Sequence, residues 1–235
     1  MGPRAVPHGC ALVIAAASPN FTERRGGAVP KFIILHYTAM ASCAEARQRL
    51  CAPEHEVSAH WLISETGEAE ALVPEEMRAW HAGAGAWAGH SDMNSHSIGI
   101  ELANTGTQPF PEPQMRALEA LLRAAMARWD IPPERVIGHS DMAPARKIDP
   151  GARFDWRRLA LQGLSVWPEA AEAPVAGFFH DLARVGYPDA PEAALLAAFR
   201  LRFRPWARGA LDAVDAGLAA DLARRFAVDA PLAQA

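Results

Sequence analysis

KFIILH, residues 31–36, is a continuous apolar run with β-branched members that ends on a histidine. A run of that length, apolar at every position, reads as a strand covered on both faces. A second short run, RVIGHSD at 135–141, again delivers a histidine, His139, at its end. Between them SIGIELAN, 97–104, alternates well enough for a strand and carries a charged residue, Glu101, among apolar neighbours. These strands are separated by helical patterns. Ser42 followed by Glu45 is a capping-box pattern opening a helix to about Cys51. Met115, Leu118, Leu122, Met126 and Trp129 fall on one helical face after Pro111 and Pro113. VSAHWLIS (57–64) and AEALV (69–73) flank the turn-like ETGE and read as a β-hairpin. Strands alternating with helices, plus one hairpin, predict an α/β fold: a mixed sheet flanked by helices.

The tail reads differently. PEAAEAPVAG after Trp167 has a linker's composition, and three helical segments follow at about 175–185, 192–204 and 209–226. Their apolar residues, among them Leu182, Leu195, Phe199, Phe203, Leu218 and Leu222, recur at helical spacing and suit a small three-helix domain with a minor core of its own, the alternative being that the helices dock on the preceding domain and complete its fold. The expected division is therefore residues 1–167 and 175–235.

Composition removes several function classes. The chain has 235 residues, 50% of them hydrophobic and 21% charged, enough for a sizeable core. Its net charge of -4 leaves no electrostatic footprint for nucleic acid. The longest apolar stretch, Cys10 to Ala17, is far short of the ~20 residues a membrane-spanning helix needs. That stretch also makes a poor signal-peptide core, because only Arg4 precedes it as a cation and Pro3, Pro7 and Gly9 interrupt the approach. A cytoplasmic location is expected, with the cell envelope as the alternative. Cys10, Cys43 and Cys51 are too few for a disulfide scaffold. Eight residues along one helix would part Cys43 from Cys51 by ~12 Å, beyond the reach of a bridge.

Ligands in open α/β sheets gather beyond the carboxyl ends of the strands, where His36 and His139 would converge. Ten residues past His139, in SDMAPARKIDPG, lies Asp149, preceded by Lys147 and followed by Pro150 and Gly151. Two histidines and a carboxylate with a fourth position open to water make a catalytic zinc arrangement, which lowers the pKa of bound water towards ~7. A carboxylate such as Glu101 inside an apolar strand costs several kcal/mol unless it is paired or functional. Trp61, Trp80 and Trp87 either line a groove or pack in the core. Trp167 and Trp206 read as linker and tail packing, and His8, His55, His90, His96 and His180 as surface residues.

ILHYTAM around His36, VSAHWLI around His60, WHAG around His81, IGIELAN around Glu101 and GHSDMAPARKIDPG around His139 and Asp149 resemble, in order and spacing, the zinc-dependent N-acetylmuramoyl-L-alanine amidases of the amidase-2 family. The likeness spans about 18–156. GYPDAPEAALLAAFRLRFRPWARGALD, 186–212, looks like a peptidoglycan-binding module and points to the AmiD-like subgroup. The resemblance implies zinc ligands His36, His139 and Asp149, Glu101 as general base and Lys147 as an oxyanion-stabilising cation. It puts His60 and His81 near a substrate cleft, either orienting substrate or packing, and Trp80 stands with them as a candidate substrate contact on its aromatic character alone. Ala145 stands where the family often has Gly. The implied substrate is peptidoglycan or a muropeptide: a binding module favours polymer, and a cytoplasmic chain favours soluble anhydro-fragments. A non-catalytic peptidoglycan-recognition protein and a zinc peptidase acting on the stem peptide are the competing readings.

Overall fold

The computed structural model of the chain describes residues 18–169 and 172–228. The leader-like run Cys10–Ala17 and His8 lie outside the described residues. Chain order is β1 (Phe21–Thr22), β2 (Phe32–Tyr37), α1 (Cys43–Cys51), β3 (Trp61–Ile63), β4 (Ala69–Ala71) and β5 (Arg78–Ala79). There follow α2 (Met93–His96), β6 (Ser97–Leu102), α3 (Glu112–Trp129), β7 (Val136–Gly138), α4 (His139–Met142) and α5 (Trp156–Leu161). The tail is α6 (Phe178–Val185), α7 (Glu192–Phe203) and α8 (Ala213–Phe226).

Five strands form one sheet in the order β4-β3-β6-β2-β7, in which only β3 and β4 pair antiparallel. It is the mixed sheet, flanked by helices, that the sequence predicts. β1 and β5 make a separate two-stranded ribbon. Register is what matters for the site: His36 lies opposite Glu101 across β2 and β6, and Leu35 lies opposite Gly138 across β2 and β7. His36, Glu101 and His139 thus reach the same end of three adjacent parallel strands.

Side chains alternate across a strand, so β2 feeds two layers. Ile33 and Leu35 pack with Ile98, Ile100 and the α3 residues Met115, Leu118 and Leu122. Phe32 and Ile34 pack on the other side with Ile137, Phe178, Leu182, Phe199 and Leu222. The minor core expected within the tail is therefore not separate: α6, α7 and α8 share a core with the sheet. The physical reason lies in KFIIL itself, which is apolar on both faces and needs a cover on each. At roughly 2 kcal/mol per buried large apolar side chain, stripping Phe178, Leu182, Phe199 and Leu222 from this face forfeits on the order of 8 kcal/mol, the size of a domain's net stability.

Local expectations hold with shifted ends. Ser42 Oγ accepts the Glu45 N–H at 3.2 Å and starts α1. The hairpin is shorter than expected, closing through Ser64–Glu68. RVIGHSD stops being a strand at Gly138, because Asp141 Oδ2 accepts the Gly138 N–H at 2.8 Å and opens a helical turn. The last helix begins after Asp212, whose carboxylate caps Val214 and Asp215, rather than at Gly209. Cys43 and Cys51 share α1 and are not bridged to each other. Among the described residues no helix is long and apolar enough to cross a membrane.

Candidate active site

β2 ends by presenting His36, α4 begins with His139, and the loop after α4 returns Asp149 to both. His36 Nδ1 lies 2.9 Å from His139 Nδ1 and 2.9 Å from Asp149 Oδ2, and His139 Nδ1 lies 3.0 Å from that same oxygen. All three residues are buried. Three lone-pair atoms in so small a triangle repel one another unless a proton or a cation sits among them. A tetrahedral ion at ~2.0–2.1 Å from each donor sets the donors about 3.3 Å apart, so opening the triangle by a few tenths of an ångström accommodates a divalent metal. The donor set fits such an ion.

The outer nitrogens define which ring nitrogen is free to ligate. His139 Nε2 lies 2.8 Å from the Ala82 carbonyl, to which it donates, leaving Nδ1 as a lone pair. His36 Nε2 lies 3.0 Å from His81 Nδ1. His81 Nε2 in turn lies 3.2 Å from Ser97 Oγ, whose hydroxyl donates to the Met93 carbonyl. One direction of donation satisfies the whole relay, from His36 through His81 and Ser97 to Met93, and it too leaves His36 Nδ1 as a lone pair. Outer partners of this kind fix the tautomer of a ligand. Gly99 makes the relay possible: a Cβ there would lie 2.3 Å from His81 Cγ.

These groups share a cleft of about 380 Å³ with Glu101, Lys147, Arg146, Arg49, Tyr37, Ile148 and Trp80. Glu101 Oε2 is buried without a hydrogen-bond partner among the described residues. Burial, with the nearby Asp149 charge adding to it, pushes the Glu101 carboxyl up to about 8, although Lys147 opposes the shift. Burial, reinforced by His139, pulls His36 down to about 4 against the opposing pull of Asp149. Burial alone would raise Asp149, but its hydrogen bonds with His139 and His36 outweigh that and hold it far below the ordinary carboxylate range.

The structure thus brings together His36, His139, Asp149, Glu101, Lys147, His81 and Trp80. It does not bring His60 to the cleft. That ring is fully buried, with Nδ1 accepting the Gly99 N–H at 2.9 Å and Nε2 within 3.0 Å of the Met77 carbonyl, so it packs beneath His81. Burial pulls it down to about 3. Trp87 is core, and Trp61 gives its N–H to Glu75. Trp167 packs beside Phe203, whereas Trp206 is 68% exposed. His55 and His180 are exposed as expected. His90 and His96 are not: half-buried, they stack on each other with centroids 4.5 Å apart. Sequence reasoning missed Ser97 and Arg146. Ser97 opens the SIGIEL strand with no motif of its own. Arg146, beside Lys147, donates to the Ala82 and Ala84 carbonyls and so holds the WHAG segment against the ligand loop.

A buried carboxyl and a lysine that line one cleft with a metal-competent His-His-Asp trio, beyond the ends of parallel strands, suit a hydrolytic enzyme. The chain belongs to the amidase-2 family of N-acetylmuramoyl-L-alanine amidases, whose pattern matches residues 26–152. Its similarity to the N-acetylmuramoyl-L-alanine amidase AmiD of Escherichia coli K12 is 35% identity over 238 aligned positions, 85% of this chain and 84% of AmiD. The 1,6-anhydro-N-acetylmuramyl-L-alanine amidase AmpD of Enterobacter cloacae is 43% identical over 103 positions, 44% of this chain and 55% of AmpD. Among solved structures, E. coli AmiD with its substrate anhydro-N-acetylmuramic acid-L-Ala-D-γ-Glu-L-Lys superposes with a TM-score of 0.78 at 32% identity, covering 93% of this chain and 95% of that one. AmpDh3 of Pseudomonas aeruginosa with anhydromuramic pentapeptide gives 0.75 at 28% identity, covering 95% and 99%.

Proposed function

We propose that this chain hydrolyses the amide bond joining the lactyl group of N-acetylmuramic acid, or its anhydro form, to the L-alanine of the stem peptide, with zinc as its metal. The convergence of His36 Nδ1, His139 Nδ1 and Asp149 Oδ2 in one cleft with Glu101 carries the reading. Two imidazoles and one carboxylate are a donor set of catalytic zinc sites. When bound, the ion supplies Lewis acidity towards the amide carbonyl and acidifies water at its open position.

The chain's own groups do the rest. Glu101 accepts a proton from the attacking water and returns it to the departing amine. Its buried Oε2, without a hydrogen-bond partner among the described residues, is available to the water and then to the amine. Lys147 offers its ammonium to the oxygen of the scissile carbonyl as charge develops there, a kind of contact worth ~3 kcal/mol in other enzymes. His81 keeps His36 in its ligating tautomer, and His60 supports His81 from below. Trp80 supplies an aromatic wall for the sugar or peptide. The tail, residues 175–235, is read as the part that meets peptidoglycan on the strength of its sequence resemblance.

The test is product analysis by mass spectrometry after incubating the zinc-loaded full chain with an anhydro-muramyl tripeptide. Release of the free sugar acid and of a peptide beginning with L-alanine is expected. Cleavage within the peptide would make the chain a stem peptidase, and binding without cleavage a recognition protein. Fractionation separates the two substrate forms: recovery with the envelope would favour polymer, and recovery in the cytoplasm soluble anhydro-fragments.

A further inference from the structure

Behind His139, facing away from the cleft, lies a buried ionic group that the amidase reading leaves unused. Asp141 is fully buried. Its Oδ2 accepts from Arg202 of α7 at 2.7 Å and from the Gly138 N–H at 2.8 Å, and its Oδ1 accepts the hydroxyl of Tyr187 at 2.7 Å. Arg202 is 4% exposed and, among the described residues, is the cation paired with Asp141. Its second nitrogen donates to the Val136 carbonyl and to Ser165 Oγ, each at 3.1 Å.

We propose that Arg202 and Tyr187, from the C-terminal helices, are positioning residues for the metal-ligand loop, which they clamp through Asp141. The inference rests on the zinc reading above and deepens it. Arg202 grips the backbone at Val136, before His139, and the side chain of Asp141, after it, so the ligand sits in the span of a single guanidinium. The grip extends to Asp149. The Ser140 N–H donates to the Asp149 carbonyl at 2.9 Å. A Cβ on Gly138 would lie 2.9 Å from Pro150 Cδ and 3.3 Å from Trp156, and Arg202 stacks on that tryptophan at 4.3 Å. Two of the three ligands thus hang from a point fixed by the tail. Outer partners of metal ligands typically change affinity 10–100-fold when removed.

The test measures the zinc dissociation constant of the full chain by chelator competition, alongside thermal stability. Three variants are compared with wild type: Arg202→Met, the charge-neutral pair Arg202→Met with Asp141→Asn, and Tyr187→Phe. Arg202→Met is expected to weaken zinc binding roughly 10–100-fold. The neutral pair relieves the stranded charge and is expected to regain stability while zinc binding stays at least about fivefold weak; Tyr187→Phe is expected to lose about threefold. A purely structural role predicts that affinity returns with stability. Zinc affinity within twofold of wild type in the folded neutral pair and in Tyr187→Phe overturns the proposal. Absence of zinc binding by the wild-type chain overturns the amidase reading itself, which separates the two failures.

Discussion

His36 and His139 offer the same ring nitrogen to the same point, yet they are held from opposite ends of the chain. His36 sits inside a six-residue strand paired on both sides, and its outer nitrogen is fixed by His81 and, through it, by Ser97 of β6. His139 stands just past a three-residue strand, on a four-residue helical turn anchored by Tyr187 and Arg202 of the tail. A ligand on a well-paired strand needs little beyond a tautomer lock. A ligand on a short turn needs its backbone held as well, and here a remote segment holds it.

The most severe way to probe that difference is to remove each ligand. His36→Ala and His139→Ala are each expected to abolish stoichiometric zinc, read by elemental analysis, and turnover with it. Stoichiometric zinc retained by either variant breaks the ligand assignment.

Next in size is truncation after Trp167. It uncovers Phe32, Ile34 and Ile137 and strands Asp141 without its cation, and breaking a buried pair costs ~3–5 kcal/mol by itself. Aggregation and loss of zinc are expected in size-exclusion and metal assays. A soluble truncated chain that still binds zinc and cleaves a small muropeptide would show that the tail's hold on His139 is dispensable.

Glu101→Gln leaves both histidine supports intact and separates them from the chemistry. Zinc should stay bound while turnover falls ~10²–10⁴-fold. The metal-free variant adds a signature in pH. The Glu101 pKa is raised in the fold from its ordinary 4.5 to about 8, so the stability that its protonated form contributes is present below pH 4.5 and is lost as pH rises through 8. Metal-free Glu101→Gln should therefore melt above wild type at pH 8, by roughly 3–6 °C, and about equally at pH 4.

Ser97→Ala tests the sheet-side relay alone and is expected to weaken zinc binding only about three- to tenfold. An effect exceeding that of Arg202→Met would invert the comparison.

Smallest is the acid response of the metal-free fold. His36 and His60 are neutral in the fold, pulled from 6.5 to about 4 and about 3. The unfolded chain takes up protons first as pH falls, so stability is retained above pH 6.5 and is lost progressively down to about pH 4 and below. Urea midpoints at pH 7 and 5 measure it.

Much of this was legible in the sequence because each feature was local. β2, β6 and β7 announced themselves as apolar runs, and α3 by its apolar stripe. The ligand trio stood at two strand ends and in a Pro-Gly loop. What stayed hidden depends on distant partners. Arg24 belongs to no motif in the sequence, yet it is buried and donates to the carbonyls of Glu75, Asn94, Ser95 and Ser97. Strands of two residues, such as β1, have no periodicity to read. The docking of the tail did leave a trace, since an apolar run open on both faces demands two covers and α3 supplies only one. Asp141 offered no comparable trace: as a lone acid in GHSD it is indistinguishable from a turn former until Arg202 is seen beside it.

The shared core also sets an order of events during synthesis. α3 can cover one face of β2 once about half of the chain has emerged, but the other face, Phe32 and Ile34, waits for Phe199 and Leu222 near the C-terminus. At ~5–20 residues per second, translation leaves that face open for on the order of ten seconds or more. A nascent chain with a half-dressed sheet is a target for chaperones and for aggregation, and the clamp on His139 cannot close until the last helices have left the ribosome.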